Sequence, residues 1–127
     1  MIYLDNAATT ALSPAAIESM TQAMIVFGNP SSTHSHGREA KKLLRQARED
    51  IAKVLHTQSK NILFTSGGTE SNNTAIKGYA LRHQNQGKHI ITTAIEHHAV
   101  LEPVEYLVEN FGFEATIIQP VDGQIPT

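Results

Sequence analysis

The 127-residue chain contains no cysteine. That excludes a disulfide framework, a thiolate metal site and a thiol nucleophile among these residues. It also lacks an excess of either charge: the formal net charge is -2, which gives no electrostatic reason to expect nucleic acid or an acidic membrane surface as a partner. No apolar run approaches membrane-spanning length, and Met1-Ile2-Tyr3-Leu4-Asp5 has neither the basic segment nor the apolar stretch of a signal peptide, so the expected location is cytoplasmic. There is no internal repeat, low-complexity segment or linker. The Gly-Lys-Ser/Thr of a phosphate-binding P-loop and the three-glycine dinucleotide fingerprint are both missing, which argues against nucleotide binding.

What the chain does have is an ordinary globular composition, 40% hydrophobic and 17% charged, at the length of one domain. Its most informative stretch is Ile62 to Ala75. Ile62–Phe64 is a short apolar run that predicts a buried strand, Gly67-Gly68 predicts a tight turn, and Glu70 to Tyr79 carries helical residues with apolar positions at Ala75, Ile76 and Tyr79. A strand–glycine–helix junction directs the unpartnered N–H groups of a helix start outward at the positive end of its dipole, where an anion fits. Left-handed backbone angles at Gly67 and Gly68 and the absence of Cβ atoms would let a phosphate approach, with the Thr69 hydroxyl as a further donor.

Elsewhere the pattern predicts an α/β chain. Ile2–Leu4 reads as a short extended segment and Asp5–Thr10 as a polar loop. Ser13-Pro14 opens a helix with Ile17, Met20, Met24 and Phe27 on one face, stopped at Gly28. A turn-rich loop follows, Gly28-Asn29-Pro30-Ser31-Ser32-Thr33-His34-Ser35-His36-Gly37, rich in short donors and acceptors. The clearest amphipathic helix runs from Arg38 to Leu55, with Leu43, Leu44, Ala47, Ile51, Val54 and Leu55 expected to be buried. Strands are predicted over His89–Thr93 and Ala115–Ile118. Between them a helix presents Leu101, Val104, Val108 and Phe111 on one face, closed by Gly112, and it tolerates Pro103 only in its first turn. The expected organisation is an N-terminal arm over 1–13 and a domain over 14–127.

Four stretches, Leu4-Asp5-Asn6-Ala7-Ala8-Thr9-Thr10, Gly28 to His34, Phe64 to Asn72 and Glu96-His97-His98-Ala99-Val100, occur in an order and spacing that resembles the N-terminal part of the cysteine desulfurases. These are pyridoxal-phosphate (PLP) enzymes of the class V aminotransferase group with the fold type I architecture, and the resemblance covers essentially the whole chain. It implies that Gly68 and Thr69 hold the cofactor phosphate. His97 would stack on the pyridine ring and shuttle protons, and Asn6 and Asn29 would lie in loops that approach the substrate. The implied reaction converts cysteine to alanine and passes sulfur to an acceptor protein, in a homodimer.

The same resemblance places the cofactor-bearing lysine, the carboxylate for the pyridine nitrogen, the substrate-binding arginine and the sulfur-accepting cysteine downstream of the matched part. No lysine here stands in the family's Ser/Thr-x-His-Lys setting. In this fold the strand at Ile62 is expected to be separated from that at His89 by strands later in sequence, so the chain reads as the first third of the enzyme, inactive alone. The alternatives are a selenocysteine lyase, another class V aminotransferase, or a non-catalytic remnant that binds phosphate or dimerises. A metal site from His34, His36, His97 and His98 is disfavoured, because the two pairs lie on separate loops without ligand spacing.

Overall fold

Ser13 opens the first helix as its sequence predicts: its hydroxyl accepts the Ala16 N–H at 3.2 Å and Pro14 takes the first helical position. In the computed structural model, which describes residues 2–126, this helix is α1 (Pro14–Met24). It ends on Ile25, three residues before the expected stop at Gly28, and buries no residue; Met24 and Phe27 are 81% and 82% exposed. Ile2–Leu4 forms no strand. The chain divides into two compact units, Met1–Leu63 and Phe64–Thr127.

The first unit continues with α2 (Ser35–Val54) and a 3₁₀ turn at Ser59–Asn61. The helix starts three residues earlier than periodicity suggested because His34 caps it, its Nδ1 accepting the Gly37 N–H at 3.4 Å. The loop before it closes through glycine. A Cβ at Gly28 would stand 2.3 Å from the His36 carbonyl oxygen, and one at Gly37 would stand 2.4 Å from that of Ser32. Only Gly37, Ala40 and Ala52 of α2 are buried. The expected core face is not: Leu43 is 42% and Leu44 39% exposed, Ile51 is comparably open, and Val54 and Leu55 are more so. The stripe has the helical period, but the described residues of this unit cover it only in part.

The second unit contains α3 (Gly68–His83), β1 (His89–Thr93), α4 (His98–Phe111) and β2 (Glu114–Ile118). β1 and β2 pair in parallel, His89 opposite Glu114 through Thr93 opposite Ile118, with α4 as the crossover between them. Helix α4 carries the best-covered residues: Ala99, Pro103, Val104 and Leu107 are buried, and Phe113 just beyond it. The buried line thus runs through Leu107, which periodicity had passed over, while Val108 stays 38% exposed. Pro103 is the sixth residue of the helix and not in its first turn, so the Ala99 carbonyl loses its helical donor; full burial of the ring accompanies that loss. Gly112 ends α4 in the left-handed conformation at φ 67°.

Ile62–Phe64 is not a strand. Ile62 has extended angles, φ -95° and ψ 118°, but no neighbouring chain among the described residues bonds to it, and Leu63 and Phe64 are exposed. An extended segment becomes a strand only when a partner completes its ladder. Between the sheet and α4 lies an incompletely filled space of about 530 Å³, lined by Thr92, Ala94, Leu101, Val104, Ala115 and Ile117 among others. No described helix is long and apolar enough to cross a membrane.

Candidate functional site

Helix α3 begins at Gly68 with Gly67 as its cap, and no side chain bonds to its first amides. Gly67 is extended, at φ 167°, and Gly68 is already helical, so neither takes the left-handed angles expected of this turn. The glycines matter here for space: a Cβ built on either meets nothing within 4 Å. Among the described residues the Thr69 hydroxyl has no hydrogen-bond partner, while its carbonyl accepts from Asn73 Nδ2 at 3.0 Å. The helix mouth therefore offers free N–H groups, a free hydroxyl and open approach.

The loop leading into the helix is tied back by its first turn. Ser66 donates twice to Glu70 Oε2, from its N–H at 2.6 Å and from its hydroxyl at 2.7 Å. The backbone bond above all, and then the hydroxyl, hold the Glu70 carboxyl below its ordinary pKa. In the usual capping arrangement a glutamate at this position reaches the cap residue's own N–H; here it reaches one residue further back. The Thr65 hydroxyl donates to the Gly67 carbonyl at 3.2 Å, so the 2.6 Å contact between Thr65 and Ser71 uses the Ser71 hydroxyl as donor. The sequence pattern places Glu70 only at the start of the helical run, without its clasp on Ser66. A glutamate three residues after the helix cap was the available signal.

His97 caps α4, its Nδ1 accepting the Ala99 N–H at 3.0 Å. That bond fixes the ring and leaves Nε2 as the nitrogen that carries the proton in the neutral form. The ring is exposed.

The two helix starts lie at one level. Helix α4 crosses between two parallel strands and so runs antiparallel to β1, while α3 ends at His83, shortly before Lys88, which bonds to the last residue of α4, so the two packed helices end near each other and run the same way. They pack together, with Lys77 Nζ 4.1 Å from the centre of the Tyr106 ring. Gly68 and His97 each lie nine residues before that contact, about 13 Å along their helices. Both stand at the carboxyl end of β1, the edge where open α/β sheets bind their ligands. The opposite end is fixed by Lys88, which donates to the Phe111 carbonyl at 2.7 Å.

The remaining predicted residues belong to the first unit. Asn6 lies in an exposed turn in which the Ala8 N–H donates to the Asp5 carbonyl at 3.2 Å. Asn29 Oδ1 accepts the Ser31 N–H at 2.9 Å across Pro30, leaving its amide NH₂ outward. Among the described residues no group of three or more His, Asp or Glu side chains is arranged to hold a metal ion. Chemically, the donor set at Gly68 and Thr69 suits a phosphate, and the His97 ring at the same level suits a flat partner.

The family model described as aminotransferase class-V matches residues 2–127. The chain is 54% identical over 124 residues to the cysteine desulfurase IscS of Dictyoglomus turgidum, covering 97% of this chain and 31% of that protein. It is 46% identical over 129 residues to an IscS-like cysteine desulfurase of Mycobacterium tuberculosis, covering 98% and 33% respectively. Among solved structures, a NifS-like protein superposes with a TM-score of 0.82 at 41% identity, covering 92% of this chain and 32% of that one. A structure described as SspA in complex with cysteine gives 0.78 at 40% identity, covering 91% and 33%. The chain thus spans about a third of the length of these relatives.

Proposed function

Because this chain belongs to the class V aminotransferase family, we propose that it is the N-terminal part of a PLP-dependent cysteine desulfurase, with the family's fold type I large domain beginning here. In this reading residues 1–13 are an arm and 14–127 part of that domain. The amides of Gly68 and Thr69 and the Thr69 hydroxyl hold the cofactor phosphate, and the His97 ring lies over the pyridine. What supports it above all is the level of the two helix starts: open, uncapped amides at Gly68 stand beside a capped histidine at the same end of parallel helices. Helix-start amides suit an anionic tail, and an imidazole at a neighbouring helix start suits a flat ring.

Bound there, PLP supplies an electron sink for carbanion chemistry on an amino acid. The chain's own residues do the rest of what is local. His97 Nδ1 is engaged by Ala99, so proton exchange with the bound amino acid takes place at Nε2, and the helix cap keeps the ring from turning. Asn29, locked by its turn, and Asn6 approach the substrate, cysteine. The 127 residues contain no cysteine, so the thiol that accepts the sulfur lies outside them; the resemblance to the family implies the same of the lysine that bears the cofactor. The whole enzyme works as a cytoplasmic homodimer and passes sulfur to an acceptor protein, including for iron–sulfur clusters.

The test is to purify the protein encoded by the complete gene, extract and identify its cofactor, and measure alanine formed from cysteine. PLP in stoichiometric amount with alanine release is the expected result. A protein without PLP, or one that binds it and leaves cysteine unchanged, overturns the reading. The 127-residue chain alone, reduced with borohydride in the presence of PLP, is expected to give no adduct at a single defined lysine.

A further inference from the structure

The two hydrogen bonds from Ser66 to Glu70 have no place in the reading just given. They are exposed, so burial does not demand them, and they do not cap the helix in the ordinary way, since the cap residue is Gly67 and the N–H engaged belongs to Ser66. Their effect is on geometry and on charge together. They fold Thr65-Ser66-Gly67 back along the first turn of α3, and the Thr65–Ser71 bond repeats the tie one residue over on each side. They also point the carboxylate at two donors outside the helix mouth. A glutamate in the first turn would otherwise be free to turn its oxygens to the same amides that an arriving phosphate needs.

We propose that Glu70 is a positioning residue for the cofactor phosphate: by clasping Ser66 it holds the loop in the shape that leaves the Gly68 and Thr69 amides open, and it keeps its own carboxylate from occupying them. The inference rests on the assignment of that helix mouth to PLP phosphate. It makes a distinction between substitutions. Glutamine keeps an amide oxygen able to accept both Ser66 bonds, whereas alanine removes the acceptor and leaves the loop tied to the helix only through Thr65 and Ser71. Ser66→Ala removes the hydroxyl bond and keeps the backbone one.

The experiment compares the affinity of the full-length protein for PLP and for pyridoxal, which lacks the phosphate, in the wild type, Glu70→Gln, Glu70→Ala and Ser66→Ala. Glu70→Ala is expected to weaken PLP binding about tenfold, the scale of one lost helix-terminal hydrogen bond, and to leave pyridoxal binding unchanged. Glu70→Gln is expected to bind PLP within about threefold of the wild type, and Ser66→Ala to fall between the two. Equal weakening for PLP and pyridoxal, or Glu70→Ala binding PLP like the wild type, overturns the proposal. If Glu70→Ala does not fold, the Ser66→Ala protein decides: loss confined to PLP supports the proposal and its absence overturns it. A wild type that binds no PLP refutes the assignment of the site itself, and this inference with it.

Discussion

Lys77 of α3 sets its ammonium 4.1 Å from the centre of the Tyr106 ring of α4, one of the contacts by which the two helices pack. Because both helices run against β1, sliding one along the other would separate Gly68 from the level of His97. Lys77→Gln, which keeps the side-chain length but removes the charge, is expected to lower stability by about 0.5–1 kcal/mol, as for an exposed cation over a ring. Urea denaturation of the full-length protein measures it, and an unchanged midpoint would show that the ring attracts no charge in solution.

Two glycines make opposite predictions. A Cβ at Gly28 would sit 2.3 Å from the backbone carbonyl oxygen of His36, which cannot swing aside as a side chain would. Gly28→Ala is expected to cost about 1–3 kcal/mol. At Gly68 a Cβ meets nothing within 4 Å and the backbone is helical, so Gly68→Ala is expected to raise stability by about 0.4–1 kcal/mol while weakening PLP binding. Thermal unfolding without cofactor and PLP titration separate the two effects. A Gly68→Ala protein that keeps full PLP affinity would mean that the phosphate does not approach there.

His97 combines a helix cap with the proposed ring and proton functions, and these separate by substitution. Asparagine is a good cap, so His97→Asn is expected to hold stability within a few tenths of a kcal/mol, whereas His97→Ala loses about 0.5–2 kcal/mol. Both are expected to lose alanine formation from cysteine. Retained turnover in His97→Asn would remove the ring from the chemistry and leave it only a cap.

Glu70 carries a pH signature. Its carboxyl is held below the ordinary range first by the Ser66 N–H and then by the Ser66 hydroxyl. The folded state thus favours the ionised form, so the stabilisation is fully present above the ordinary glutamate pKa of about 4.3 and fades as pH falls through the lowered folded value. The carboxyl carbon of Glu70, followed by NMR, is expected to titrate below the ordinary glutamate range, and Ser66→Ala to move it upward. A Glu70 that titrates in the ordinary glutamate range would mean that the clasp does not persist in solution.

Much of this was legible without coordinates because it depends on neighbours in sequence. Ser13-Pro14 specified the start of α1, Gly112 the end of α4, and His89–Thr93 its strand, since caps, left-handed turns and β-rich runs are local. The Ser66–Glu70 clasp, four residues long, was equally local, yet it was hidden: a glutamate near a helix start is ordinary, and only the side-chain rotamer showed which N–H it takes.

By itself the sequence determined the family motifs and the helical period of α2, and it put glycines where a phosphate needs approach. What it could not decide was what depends on partners distant in the chain. Ile62–Phe64 has strand composition and Ile62 has extended angles, but a ladder needs a second strand beside it. The Leu43–Leu44 stripe has the right spacing, but burial needs a covering surface. The common level of Gly68 and His97 follows from how α3 and α4 pack, a relation between helices separated by a strand, and only the tertiary structure could decide it.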